Sequence, residues 1–162
     1  MASLSEHFAK DAFTCKCGKC REELKISLTL VGILEDVRVK FNQPLLIQRG
    51  FMCDQAENEE PGPKRNYHST GKAVDFSVQD TKLLPEIFRY LETFPEISGL
   101  GYEPDRGYIH FDLREKEPVK WLYQRREEKE LTPELRQQHK LGESFNPDRS
   151  KKAVTIAMPV EI

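Results

Sequence analysis

Residues 68–78 read HSTGKAVDFSV, and this stretch decides the fold class that we predict. From residue 72 onward, large apolar side chains alternate with small or polar ones, which indicates a β-strand. We expect the strand to bury its apolar face and to leave the other face, which carries Asp75, free. His68 lies in the loop that leads into the strand.

A second alternating stretch reads YIHFDL at residues 108–113 and predicts another strand. Its polar face carries Tyr108, His110 and Asp112. Residues 99–102 precede it, so the two segments are expected to form a hairpin whose turn is residues 103–106.

If the two strands are neighbours, their free faces bring ligand-type side chains together. Two imidazole nitrogens and one carboxylate oxygen would then meet, from His68, Asp75 and His110. Such a set leaves a fourth zinc position for water, which is typical of catalytic rather than structural zinc. Spacing alone also fits ordinary polar surface residues, so the surrounding motifs must decide.

The rest of the chain completes an α+β pattern. Residues 21–42 place aliphatic side chains at mostly helical spacings, and residues 81–94 predict an amphipathic helix. Residues 45–47 indicate a short buried strand, and residues 52–69 lack any period, as expected for a long loop. We predict a small, mainly antiparallel sheet with helices packed on one face.

Length and composition favour one main domain. The chain has 162 residues, of which 38% are hydrophobic and 32% charged, as in globular proteins. From Tyr123 onward the sequence is almost wholly polar, so we divide it into a domain at 1–122 and a polar extension at 123–162. We expect a solvated helix and a loosely held tail there, with residues 153–160 as a further strand.

Charge and hydropathy limit the classes of binding partner and the cellular locations that we expect. The net charge of -2 gives no electrostatic case for nucleic acid. No stretch has the length and apolar character of a membrane span, and the amino terminus lacks signal-peptide features. We therefore expect the primary product to be cytoplasmic.

Three motifs resemble those of a known family. HSTGKAVD at 68–75 is similar to the H-x-x-G-x-A-x-D signature of zinc D-Ala-D-Ala carboxypeptidases and related peptidoglycan endopeptidases, whose fold is shared with the Hedgehog signalling domain. GLGY at 99–102 and YIHFD at 108–112 resemble the family's G-x-G-x-Y and V-H-x-D strands, and Trp121 its following aromatic residue. The resemblance implies a Zn²⁺ peptidase acting on peptidoglycan peptides, with three zinc ligands: His68, Asp75 and His110.

Two positions depart from the family pattern. Residues 49–52 read RGFM where the family has Ser-Gly-Tyr-Arg, so Met52 stands where an arginine is expected to grip a substrate carboxylate. Arg49 is our candidate for that role, because a guanidinium binds a carboxylate from several directions, and Arg65 is a second candidate. Gly107 occupies the position of the general base in several relatives.

Three carboxylates are candidates for the missing general base. Asp112 shares a strand face with His110 and is preferred, although the same placement fits a residue that orients a metal ligand. Glu103 and Asp105, in the hairpin turn, are the others. Tyr108 is expected to hydrogen-bond the developing oxyanion.

The four cysteines form a separate pattern. CKCGKC at residues 15–20 contains a C-x-x-C pair, and Cys53 follows the first strand. Four thiolates would close a structural zinc site that pins the amino-terminal arm to this strand. Structural metal, disulfides formed after export, and ordinary thiols are all open at this point for Cys15, Cys17, Cys20 and Cys53.

Two other functions compete with peptide hydrolysis. A zinc-containing binding module of the same fold that has lost catalysis fits the two departures from the family pattern. A scaffold that binds partners through residues 123–162 has only the charge run in its favour. Because peptidoglycan lies outside the membrane, a phage or prophage lysin would reconcile the substrate with the missing export signal.

Overall fold

The computed structural model describes residues 2–60 and 67–151. Arg65 and the strand predicted at 153–160 lie outside these residues. In chain order the helices and strands are α1 (Leu28–Phe41), β1 (Leu45–Arg49), α2 (Asp54–Glu59), β2 (Ala73–Val78), α3 (Leu84–Leu91), β3 (Gly99–Glu103), β4 (Tyr108–Asp112), β5 (Val119–Gln124), β6 (Glu127–Glu130) and α4 (Pro133–Gln138).

The strands form one six-stranded sheet in the order β1-β2-β4-β3-β5-β6. Every neighbouring pair is antiparallel except β3 and β5, which are parallel. The predicted α+β fold with a mainly antiparallel sheet is therefore confirmed. The strands β2 and β4 are neighbours, and their register places Asp75 directly opposite His110.

The hydrophobic core lies between one face of the sheet and the helices α1 and α3. Val74 and Phe76 of β2 and Ile109 and Phe111 of β4 join aliphatic side chains of both helices in one buried cluster. Because side chains alternate along a strand, Asp75 and His110 lie on the opposite face. That face was predicted to be free, but every residue of β2 is buried.

The long helix predicted at residues 21–42 begins only at Leu28. Ser27 is its N-cap, and the Ser27 hydroxyl accepts a hydrogen bond from the backbone N–H of Leu30 at 3.4 Å. Leu24 and Ile26 are instead buried in a segment that forms neither helix nor strand. Their spacing of two residues fits a strand-like segment, which the aliphatic content alone does not separate from a helix.

The long loop predicted at residues 52–69 contains the short helix α2. Its six residues, DQAENE, carry no apolar face, so hydrophobic periodicity could not reveal it. The Sγ atom of Cys53 caps its first turn by accepting the N–H of Ala56.

The sheet continues past the boundary placed at residue 122. That boundary falls inside β5, and β6 pairs with β5. Within the described residues, no helix combines the length and apolar character that crossing a bilayer needs.

Buried charges hold the segment that follows β6, where a loose tail was expected. Arg136 of α4 pairs with Glu92 beside α3, and its Nε donates to the backbone oxygen of Gly142 at 2.7 Å. Lys120 reaches the other Glu92 oxygen at 2.6 Å. The helix predicted here as solvated is largely exposed in α4, but Arg136 of that helix is buried together with Glu92.

Replacing Glu92 by Ala is expected to destabilise the fold by about 3–5 kcal/mol, because it leaves the buried guanidinium of Arg136 without its carboxylate. Urea unfolding measures this change, and limited proteolysis should show earlier cleavage after residue 130. Glu86→Ala on the exposed side of α3 is the matched control. Equal stability of the two variants would contradict the role of Glu92.

Candidate metal centre

The structure brings His68, Asp75 and His110 together on the face of the sheet away from the core. One ligand atom from each lies within 4.8 Å of the others. His110 Nδ1 is 2.7 Å from Asp75 Oδ1, and His68 Nε2 is 3.5 Å from Asp75 Oδ2. Two nitrogens and one oxygen, largely buried yet facing a cleft, fit a zinc ion with one open position.

Backbone and carboxylate contacts fix the loop that carries His68. The ring Nδ1 lies 2.9 Å from the carbonyl oxygen of Gly50, so it carries the proton and Nε2 is left for a metal. Both carboxylate oxygens of the buried Glu57 accept backbone N–H groups, from His68 at 3.2 Å and Ser69 at 2.9 Å. The first ligand is thus oriented although it lies outside the sheet.

Asp112 fixes the orientation of His110. Its Oδ2 lies 2.8 Å from His110 Nε2, which leaves Nδ1 of that ring to face Asp75. The carboxylate is fully buried and also accepts from the guanidinium of Arg114, at 2.7 Å from Nε and 2.5 Å from Nη2. This arrangement favours the orienting role for Asp112 over the general-base role that we had preferred.

The charges of the site favour a cation at its centre. Burial alone would raise the pKa of Asp75, but the imidazoles of His68 and His110 hold it well below its usual range. For His110, burial lowers the pKa, while Asp75 and Asp112 raise it to about 10. Because a ligating imidazole must give up its proton, a bound cation takes the place of that proton.

Two glycines of β3 make room for the site. A Cβ at Gly99 would collide with the carboxylate of Asp112, and one at Gly101 would collide with the ring of Trp121. That ring lies against His110, with centroids 5.2 Å apart. The G-x-G spacing therefore allows both supporting side chains to lie over β3.

Gly71 is required for a different reason. Its φ is +74°, and a Cβ there would collide with the backbone of Lys25 and Ile26. The backbone oxygen of Gly71 also accepts the N–H of Ser27 at 2.8 Å. The loop that carries His68 is thus joined to the segment before α1.

Of the three carboxylates predicted as general-base candidates, Glu103 is the one that lines the cleft, which Glu57, Glu60 and Glu128 also line. It lies on β3 two residues from Gly101, which pairs with His110, so it faces the same side. Burial raises the pKa of Glu103 and the charge of Asp75 raises it further, while Arg106 partly opposes them. Asp105 is exposed and accepts the backbone N–H of Arg125.

Two of the predicted substrate-binding residues lie in the described part of the chain, and they have different positions. Arg49 lines the cleft, with its guanidinium 3.3 Å from Asp75 and 2.9 Å from Glu60. The Tyr108 hydroxyl instead donates to the side-chain oxygen of Gln48 at 3.3 Å and does not line the cleft.

Sequence reasoning missed three residues that support the site. Arg114 holds Asp112, and continuing the alternation of β4 by two residues would have pointed to it. Arg106 pairs with Glu103 and lies over the rings of Tyr108 and Tyr123. Glu57 belongs to a helix without an apolar period, so no sequence signal pointed to it.

The four cysteines also lie close together, beyond the C-terminal end of β1. Their Sγ atoms lie within 4.8 Å of one another, and all are free thiols: Cys15, Cys17, Cys20 and Cys53. This group shares the segment at residues 49–53 with the first site.

Comparison with known families agrees with this geometry. A sequence model described as Peptidase M15 matches residues 6–112, which include the three candidate ligands and the strands from β1 to β4. No curated protein and no solved structure matches the chain. Because the match extends over more than half of the sequence, the chain belongs to the Peptidase M15 family of zinc metallopeptidases.

Proposed function

We propose that the chain hydrolyses peptide bonds of bacterial peptidoglycan, as a carboxypeptidase or an endopeptidase. The observation that carries the proposal is the convergence of His68, Asp75 and His110 beside the buried Glu103 in one cleft. The resemblance of the motifs around these ligands to those of cell-wall peptidases supports the substrate class. A phage or prophage lysin released to the cell wall is the matching biological setting.

The three ligands would hold zinc through His68 Nε2, a carboxylate oxygen of Asp75 and His110 Nδ1. Zinc bound there supplies a Lewis acid and lowers the pKa of water from about 15.7 towards about 7. Asp112 and the Gly50 carbonyl orient the two rings from their far sides.

Glu103 is our candidate for the general base. It faces the same cleft as the ligands, and its raised pKa brings it nearer to neutral pH, where a base works best. In this role it accepts a proton from the attacking water and returns it to the leaving amine. Its hydrogen bond with Arg106 holds the carboxylate in place.

Arg49 is our candidate for binding a substrate carboxylate. Its guanidinium is partly exposed and already binds the carboxylate of Glu60 at 2.9 Å. A substrate carboxylate that displaces Glu60 would find the same donors.

A catalytically inactive binding module of the same fold is the second candidate. Met52 and Gly107, at the positions of the family's arginine and base, favour it. Digestion of purified peptidoglycan by the zinc-loaded protein, with fragments identified by mass spectrometry with and without chelator, separates the two functions. Chelator-sensitive cleavage supports hydrolysis. Uncleaved but bound peptidoglycan would favour the binding module.

The double variant His68→Ala/His110→Ala is expected to hold one zinc equivalent less than the parent, because it removes two of three ligands. Elemental analysis of dialysed protein measures this. His7→Ala is the control, because His7 pairs with Glu35 away from the cleft, at 2.6 Å. Undiminished zinc in the double variant, with the cysteines replaced in parallel, would rule out this site.

Glu103→Gln is expected to lower kcat by roughly 10²-fold to 10⁴-fold while zinc content is retained, because the amide cannot accept the proton. Asp112→Asn should instead weaken zinc affinity by about 10-fold to 100-fold, since it loosens His110. Asp105→Asn is the control for the turn. A larger loss of kcat at saturating zinc in Asp112→Asn than in Glu103→Gln would return the base to Asp112.

Replacing Arg106 by Gln is expected to move the acid limb of the kcat profile to higher pH. Arg106 lowers the pKa of Glu103, so its removal raises that pKa, and the active carboxylate form is lost at higher pH. A bound cation lowers the pKa of Glu103 in the parent and in the variant alike, so the pKa of the variant remains the higher of the two. Lys116→Gln, exposed and outside the cleft, is the control. An unmoved acid limb would argue against Glu103.

A further inference from the structure

We propose that Cys15, Cys17, Cys20 and Cys53 bind a second, structural zinc ion as four thiolates, and that this ion holds the segment on which His68 depends. The site is separate from the hydrolytic cleft. Its existence does not rest on the proposed function.

The spacing of the sulfur atoms fits one tetrahedral ion. With Zn–S bonds of about 2.3 Å, the sulfur atoms of a tetrahedral site lie about 3.8 Å apart. Cys17 Sγ and Cys53 Sγ are 3.9 Å apart, and all four sulfur atoms lie within 4.8 Å of one another. Four protein ligands leave no open position, which is the arrangement of structural rather than catalytic zinc.

The backbone around Cys17 is arranged to support a thiolate. Gly18 has a φ of +73°, which turns the C-x-x-C segment back on itself. The backbone N–H groups of Lys19 and Cys20 then donate to Cys17 Sγ, at 3.4 and 3.2 Å. Hydrogen bonds to a sulfur ligand favour its charged form and fix its position.

Hydrogen bonds from backbone N–H groups to sulfur also join the segment at residues 15–20 to the segment at residues 53–56. The N–H of Cys53 donates to Cys15 Sγ, and the N–H of Ala56 donates to Cys53 Sγ, each at 3.4 Å. A disulfide is a poorer fit. Its S–S bond is about 2.05 Å long, so two disulfides would draw the four sulfur atoms into two bonded pairs and move the pairs apart. The described thiols are free and converge on one point.

The cluster is linked to the first metal ligand through short stretches of chain. The N–H of Phe51 donates to the carbonyl of Phe13 at 2.8 Å, which joins the arm to the end of β1. Cys53 is the N-cap of α2, whose Glu57 accepts the backbone N–H of His68. A helix of six residues, five of them polar, has little stability of its own, so the anchor at Cys53 fixes Glu57.

The experiment counts zinc and identifies its ligands. The parent is expected to hold two zinc equivalents, and His68→Ala/His110→Ala and Cys17→Ser/Cys20→Ser are each expected to hold one. Cobalt loaded into the His double variant should show thiolate-to-metal charge-transfer absorption, and this band should be absent from the Cys double variant. Because the His double variant lacks the hydrolytic site, failure of the proposed function leaves this result unchanged.

The reactivity of the thiols in the parent protein tests the proposal even if the Cys double variant does not fold. In the native parent, Ellman's reagent should react slowly with the four cysteines while zinc is bound, and rapidly after a chelator has removed the zinc. Equal rates in both states, or disulfides found by mass spectrometry after alkylation, would overturn the site. Where the variant folds, the zinc affinity of its remaining site should fall by about 10-fold. Unchanged affinity would overturn the link to His68.

Discussion

The pairing of β2 with β4 is the constraint on which the candidate metal centre depends. Its register sets Asp75 opposite His110 on one face, while Val74 and Phe111 enter the core on the other. A slip of one residue would send Asp75 into the core and an apolar side chain into the cleft. The free energy of burying the apolar face therefore also fixes the geometry of the ligands.

Buried charge at the site is arranged so that each group has an opposite partner. The His110 ring lies between two carboxylates, and the guanidinium groups of Arg49 and Arg114 contact those carboxylates from outside. A buried carboxylate is costly unless it is paired, so these arginines stabilise the acids that the centre needs. The inner position between the ligands is thereby suited to a cation.

The strands β2 and β4 and the convergence of the three candidate ligands could be predicted because both depend on local patterns. Period-two alternation identified β2 and β4, and the resemblance of their motifs pointed to the ligands. The helix α2 and the strand β6, which read DQAENE and EEKE, escaped because their residues carry no apolar period. The contact of Arg114 with Asp112, which favours an orienting role for this carboxylate, becomes visible only when the side chains are placed.

The position of His68 explains why the chain before α1 is not helical. Strand pairing does not fix the position of a ligand that lies in a loop. Other contacts must therefore offset the conformational entropy lost in ordering the loop. These contacts come from Gly50 and Glu57, and from the packing of Gly71 against residues 25–26. If residues 21–27 continued the helix, Gly71 would lose that packing. The segment at residues 25–26 is therefore part of the support of the candidate metal centre.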